Sequence, residues 1–172
     1  EGNNYLYGEA GKDELYGRAG NDKLYGEARN DKLFGEAGND LLNGGKGNDK
    51  LIGGSGRDTA IFGSGNNKID LAKTSIQKTR EGKDILSSIE NVKGGDGNDI
   101  IKGNNKANYL FGENDNDRLY GRAGNDKLYG ETFNIGTGAS GEILSTLPSK
   151  YSSKITSPTI RIVLFWKFLK SK

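Results

Sequence analysis

A nine-residue period in glycine and aspartate runs through residues 8–61 of this chain. Six units follow one another without a gap: GEAGKDELY, GRAGNDKLY, GEARNDKLF, GEAGNDLLN, GGKGNDKLI and GGSGRDTAI. Four more begin at Gly94: GGDGNDIIK, GNNKANYLF, GENDNDRLY and GRAGNDKLY. A short period of this kind indicates stacked units, because one unit alone buries too little apolar surface to fold.

Three positions of the unit define the pattern. The first is always Gly, the sixth is Asp except at Asn108, and the eighth is always apolar. Glycine at the first position, and usually at the fourth, predicts backbone with positive φ in a tight turn. The last three residues, such as Lys23-Leu24-Tyr25, alternate in the manner of a short strand. With two units per coil, residues 18 apart would stack. The sequence therefore predicts an all-β fold, a right-handed parallel β-roll with two repeats per coil.

The units resemble the RTX, or haemolysin-type, calcium-binding nonapeptides, with consensus G-G-x-G-x-D-x-U-x, where U is a large apolar residue. The second consensus glycine is present only at Gly45, Gly54 and Gly95. Units that lack it are expected to bind calcium more weakly, because a non-glycine residue is strained wherever the turn needs positive φ.

The resemblance implies several calcium ions, each held between coils by turn carbonyls and by sixth-position aspartates 18 residues apart. The candidate ligands are Asp13, Asp31 and Asp49 on one edge, Asp22, Asp40 and Asp58 on the other, and Asp99, Asp117 and Asp126 in the second group of units. A simple preference of aspartate for turns is the alternative, but it would accept Asn or Ser equally well. Stacked carboxylates repel each other without a cation, which predicts a roll that is disordered without calcium and folds on binding it.

Composition divides the chain into a first array (1–61), an interruption (62–93), a second array (94–131) and a basic tail (132–172). In the interruption, Val92 precedes Ile101 by nine residues, which makes Glu90 a candidate substitute ligand at the aspartate position. The stretch 84–91 is typical either of a linker that leads into such repeats or of an amphipathic segment covering the end of the roll.

The tail holds one acidic residue against six basic ones, whereas residues 1–131 hold 22 acidic and 19 basic residues. Four interpretations stay open for it: a C-terminal signal for type I secretion, a cap on the solenoid, a membrane-surface segment and a frame-altered read-through. Its longest apolar run is too short to span a bilayer.

Aromatic residues recur at the ninth position, so that Tyr7 would stack on Tyr25 and Tyr16 on Phe34. Such ladders indicate cross-strand packing or, alternatively, a platform for sugars.

The absence of Cys and His excludes thiolate and imidazole metal sites and nucleophiles that depend on His. The resemblance to the RTX repeats implies a non-enzymatic calcium-binding module of an exported bacterial protein, with calcium and type I secretion machinery as partners and no nucleic acid. An extracellular adhesin or surface-layer module that contacts cell surfaces or glycans is the alternative.

Overall fold

A computed structural model of the chain describes residues 2–130, 141–145 and 160–164. All helices and strands that could be assigned in these ranges are strands, so the described residues contain no helix. The strands are β1 (Tyr5–Tyr7), β2 (Glu14–Ala19), β3 (Lys23–Tyr25), β4 (Lys32–Ala37), β5 (Leu41–Asn43), β6 (Lys50–Ser55), β7 (Thr59–Ile61), β8 (Lys68–Asp70), β9 (Gln77–Lys78), β10 (Lys83–Ser87), β11 (Asn91–Lys93), β12 (Ile100–Lys102), β13 (Tyr109–Glu113), β14 (Arg118–Tyr120), β15 (Asp126–Gly130), β16 (Gly141–Ser145) and β17 (Ile160–Leu164).

These strands stack in parallel coils with two faces. One face is a single sheet in the order β1-β3-β5-β7-β11-β13-β15-β16-β17. The opposite face consists of two sheets, β2-β4-β6-β10-β9 and β14-β12-β8. Within the first array, stacked partners are 18 residues apart, as Leu24 is from Leu6 and from Leu42. The parallel β-roll with two repeats per coil is therefore confirmed.

The core is a narrow double column of eighth-position side chains. Leu24, Leu33, Leu42 and Leu51 are almost completely buried between the two faces. Burial of each leucine stabilises the fold by about 2 kcal/mol. Each coil adds only two such residues, so the apolar core is thin. The polar backbone groups of the turns must in addition be satisfied by hydrogen bonds between neighbouring coils.

The turns use glycine differently from the sequence-based expectation. First-position glycines such as Gly26 do not have positive φ; instead, a Cβ there would lie 2.6 Å from Asp31 Oδ2 and from the carbonyl oxygen of Gly44. Positive φ is found at the fourth position, as at Gly20 (136°), and at the second position even without glycine, as at Glu27 (73°). The first glycine is thus required by lack of space, and the prediction about its φ was wrong.

The interruption continues the roll. In the sheet that crosses both arrays, β7 pairs with β11, so Ala60 lies beside Val92. On the opposite face β10 pairs with β6 through Leu86 and Leu51, while β8 pairs with β12. The pair of β9 and β10 is antiparallel, unlike the other pairs among the described strands. The stretch 84–91 therefore lies inside the roll and does not cover its end.

Only two short pieces of the tail are described. β16 pairs in parallel with β15, and β17 pairs in parallel with β16. The remaining residues, on which the secretion-signal and membrane-surface interpretations depend, lie outside the described part of the chain. No helix in that described part is long and apolar enough to cross a membrane.

Candidate metal centre

The sixth-position aspartates form two ladders along the edges of the roll. In each ladder the backbone N–H of one aspartate donates to Oδ1 of the aspartate in the next coil. Asp13 donates to Asp31 at 2.9 Å, and Asp22 donates to Asp40 at 2.8 Å. Each aspartate directly precedes or begins a strand, so the regular stacking of the strands sets the spacing of the carboxylates along the roll.

The other carboxylate oxygen, Oδ2, is left buried. It has no hydrogen-bond partner among the described residues in Asp13, Asp22, Asp31, Asp40, Asp49, Asp58, Asp99 and Asp126. Asp117, the remaining predicted ligand, is equally buried and accepts from the N–H of Asp99 at 2.9 Å. A buried polar oxygen without a donor carries a large desolvation cost, so it must be satisfied by a proton or a cation.

Electrostatics agree with this geometry. Burial raises the pKa of Asp49 to about 7; the N–H donated by Asp31 opposes the rise, and the nearby carboxylate of Asp84 adds to it. Burial likewise raises the pKa of Asp99 to about 7 and that of Asp58 to about 6. These carboxyl groups are poorly solvated as anions, and a bound cation would favour their ionised form.

The oxygen atoms that could bind a metal ion lie around the first-position glycines. At Gly26, the space that a Cβ would fill is lined by Asp31 Oδ2 and by the Gly44 carbonyl oxygen. At Gly17, Asp22 Oδ2 and the next coil's carbonyl oxygen lie at 2.6 and 2.8 Å from the same position. Carboxylate and carbonyl oxygens are the ligands that calcium prefers. No three acidic side chains converge in the described part of the chain, so carbonyls would have to complete each site.

A comparison with protein families identifies this pattern. The model of the RTX calcium-binding nonapeptide repeat matches in four copies, over residues 1–33, 25–60, 34–69 and 93–128, which together cover more than half of the chain. The chain belongs to the RTX calcium-binding repeat family. A search of curated proteins finds no match. Membership of the RTX family supports calcium as the ligand, and the ladder oxygens fit that ion.

The interruption contains two members of the RTX ladders that the sequence interpretation missed. Asn67 N–H donates to Asp99 Oδ1 at 2.7 Å, and Asp49 N–H donates to Asp84 Oδ1 at 2.9 Å. Both are detectable in the sequence: residues 62–70 keep the phase of the first array, and Asp84 stands two residues before an inward leucine. Glu90, the candidate substitute ligand, also lies in a ladder, because Asp58 N–H donates to its Oε2 at 3.1 Å.

A second ladder type was also missed, at the fifth position of the RTX unit. Asn21 Oδ1 accepts from Asn39 N–H at 2.7 Å, and Asn30 Oδ1 accepts from Asn48 N–H at 2.9 Å. These side chains reach toward the following coil, whereas the aspartates reach toward the preceding one. The pair Asn-Asp therefore connects each coil to both neighbours, and the frequent Asn at the fifth position is its sequence signal.

The predicted aromatic ladders are confirmed. The ring centroids of Tyr7 and Tyr25 are 4.9 Å apart with planes 8° from parallel, and those of Tyr16 and Phe34 are 4.8 Å apart at 4°. Tyr7 and Tyr16 remain exposed. The rings therefore pack across neighbouring strands on the surface of the sheet.

Proposed function

We propose that this chain is a calcium-binding RTX module of an exported bacterial protein, and that its arrays are unfolded at low cytosolic calcium and fold outside the cell. The supporting observation is the row of buried Oδ2 atoms that have no partner within the described residues. Without a cation the folded arrays would contain many desolvated carboxylates, whereas the unfolded chain would hydrate them.

The proposed ligands are the nine aspartates of the sequence-based prediction, together with carbonyl oxygens of the turns. Asp31 and Gly44 illustrate the arrangement, because both present an oxygen to the space beside Gly26. The N–H groups that donate to Oδ1 orient each carboxylate so that Oδ2 faces this space. A bound calcium ion would supply the positive charge that these oxygens lack, and dissociation constants of about 0.1–1 mM are typical of extracellular modules.

Calcium titration of the full chain, followed by far-UV circular dichroism, tests the proposal. We expect the β-structure of the arrays to be lost in excess chelator and to return cooperatively as calcium rises, since binding to the folded state alone stabilises it. Magnesium is the control, because its strict octahedral geometry and tightly held waters make it bind poorly to a site built from carbonyls. Complete β-structure in chelator would contradict calcium-driven folding.

The role proposed for the module is structural rather than catalytic. Its sixth-position aspartates, at most one per unit, are engaged in the ladders, where their Oδ1 atoms accept from backbone N–H groups. Type I secretion machinery is the partner that this role implies, since export would have to precede folding.

A second candidate function is an extracellular adhesin or surface-layer module. The observation that favours it is the exposed aromatic end of the roll, where Tyr5 and Tyr7 are 60% and 57% exposed and Tyr7 is stacked on Tyr25. Planar rings on a rigid sheet suit the apolar faces of sugars. Tyrosine fluorescence during titration with oligosaccharides tests this candidate, and an unchanged signal in the calcium-loaded protein would contradict it.

A further inference from the structure

Four ladder positions differ from the array aspartates because protein groups satisfy their side chains. They are Asn67, Asp84, Glu90 and Asn108. In the described part of the chain, none of them carries a buried side-chain oxygen or nitrogen without a partner. Three of the four lie in the interruption and the fourth in the unit 103–111, so they are neighbours along the middle of the roll.

Asn67 replaces an acceptor by a donor. At the equivalent array position, Asp31 Oδ2 and the carbonyl oxygen of Gly44 face the same space, and both are acceptors. In the interruption, Asn67 Nδ2 donates to the carbonyl oxygen of Gly94 at 3.1 Å and to that of Gly65 at 2.8 Å. A carboxamide N–H thus supplies the partial positive charge that two facing oxygens would otherwise require from a cation.

Asp84 keeps its carboxylate but has a donor for each oxygen. Asp49 N–H donates to Oδ1 at 2.9 Å, and the Thr79 hydroxyl donates to Oδ2 at 2.6 Å. Thr79 is buried and lies in the turn of the β9–β10 hairpin, where its N–H donates to the Gly82 carbonyl at 3.0 Å. The hairpin, which the regular repeats lack, therefore brings in the hydroxyl that completes Asp84.

Glu90 has a cation of its own. Lys106 Nζ lies 2.8 Å from Glu90 Oε1; the Glu90 side chain is 8% exposed, and that of Lys106 is 66% exposed. Lys106 occupies the fourth position of its unit, where the repeat consensus has glycine. One position further along the same ladder, Asn108 Nδ2 donates to the Glu90 carbonyl at 2.8 Å. The step between Glu90 and Asn108 is thus neutralised and hydrogen-bonded without a metal ion.

We propose that strands β8–β11 and β13 form a calcium-independent centre of the roll, in which amide, hydroxyl and ammonium groups replace bound ions. This inference rests on the proposed function of the arrays as calcium sites. The centre stays folded when calcium is removed, and the first array and the end of the second array fold onto it when calcium returns. The bidentate contact of Arg122 with Asp70, at 2.6 and 2.9 Å, ties the last unit to this centre.

Hydrogen–deuterium exchange of the full chain, measured with calcium and in excess chelator, tests the proposal. Peptides that cover β9–β11 are expected to exchange at least about tenfold more slowly in chelator than peptides that cover β4. Equal, fast exchange of both sets in chelator would overturn the calcium-independent centre. If β4 were protected equally with and without calcium, calcium-driven folding of the arrays would fail instead, so the two failures are distinguishable.

Substitution of Lys106 tests the ammonium group itself. Lys106→Gln is expected to lower the protection of β9–β11 in chelator about threefold, because solvent partly screens the exposed ammonium group, whereas Lys50→Gln, which removes the same charge from an exposed array lysine, is expected to leave it unchanged. Lys106→Gly restores the consensus glycine and is expected to add one bound ion, as measured by equilibrium dialysis against calcium. Identical protection in Lys106→Gln and Lys50→Gln, or an unchanged ion count in Lys106→Gly, would overturn the role of Lys106.

Discussion

The first array and the interruption build the same ladder by different means. In the first array every coil repeats the previous one after 18 residues, and each aspartate keeps one buried oxygen without a partner in the described structure. In the interruption the corresponding steps are 35 residues from Asp49 to Asp84 and 32 residues from Asp58 to Glu90. The longer path to Asp84 includes the β9–β10 hairpin, whose Thr79 donates to Oδ2, whereas Glu90 is paired with Lys106 of the second array. A ladder position therefore needs a cation where no side-chain donor reaches its carboxylate, whatever the spacing: Asp99 follows Asn67 by 32 residues, and its Oδ2 still has no partner in the described structure.

The largest expected difference between the two regions concerns glycine. Gly26→Ala in the first array would place a Cβ 2.6 Å from Asp31 Oδ2 and from a backbone oxygen, and we expect a loss of about 2–3 kcal/mol in the free energy of unfolding with calcium. Gly63→Ala in the interruption would meet only the carboxylate end of Glu81, which can move aside. Urea denaturation in saturating calcium measures both. Equal losses would contradict the requirement for space at the first position.

The second-largest difference between the first array and the interruption is expected when a ladder carboxylate is removed. Asp31→Asn takes away one charged oxygen that faces the turn carbonyls, so the calcium concentration at half-folding should rise about fivefold, which corresponds to about 1 kcal/mol. Asp84→Asn, in the same ladder, should change this concentration by less than about twofold, because Thr79 already satisfies Asp84. Circular dichroism during calcium titration compares the two variants. A larger shift for Asp84→Asn would reverse the assignment.

Backbone strain at the second position of the array units is a smaller effect. Glu27 has φ of 73°, a region in which side chains cost about 1 kcal/mol relative to glycine. Glu27→Gly should therefore stabilise the calcium-loaded roll by up to about that amount and lower the calcium concentration at half-folding. Glu27→Ala keeps the Cβ and serves as the control, with no gain expected. An equal gain for alanine would show that the charge of Glu27 matters, and not its backbone.

The smallest effect is expected where the interruption contacts the last repeat. Asp70→Asn weakens the paired hydrogen bonds from Arg122, of which about a third of the side chain is exposed. Partial solvent screening limits the expected loss of stability to about 0.5 kcal/mol. Thermal unfolding in calcium measures the loss, and Glu9→Gln is the control, as an exposed acidic residue outside the ion pair. A loss of equal size in the control would argue against a specific contact.

Much of the roll and of its candidate sites could be predicted because each unit repeats the same local chemistry. The inward position of Leu42 and the ladder position of Asp40 both follow from counting in nines. Counting stopped at Phe62, and so it missed Asn67, although that residue keeps the phase of the first array. It also misjudged the first-position glycine, because a steric contact with an aspartate five residues later is not visible in local turn preferences.

The period by itself determined the parallel β-roll, the inward apolar column and the row of aspartates, because stacking at 18 residues makes every coil equivalent. Only the tertiary structure decided which ladder positions need a cation. The contacts that replace one join Asn67 to Gly94, Thr79 to Asp84 and Lys106 to Glu90. They follow no common spacing, because the two partners are 27, 5 and 16 residues apart in the three contacts. A donor placed by an irregular path is set by three-dimensional packing, whereas a ligand placed by a repeat is already present in the sequence.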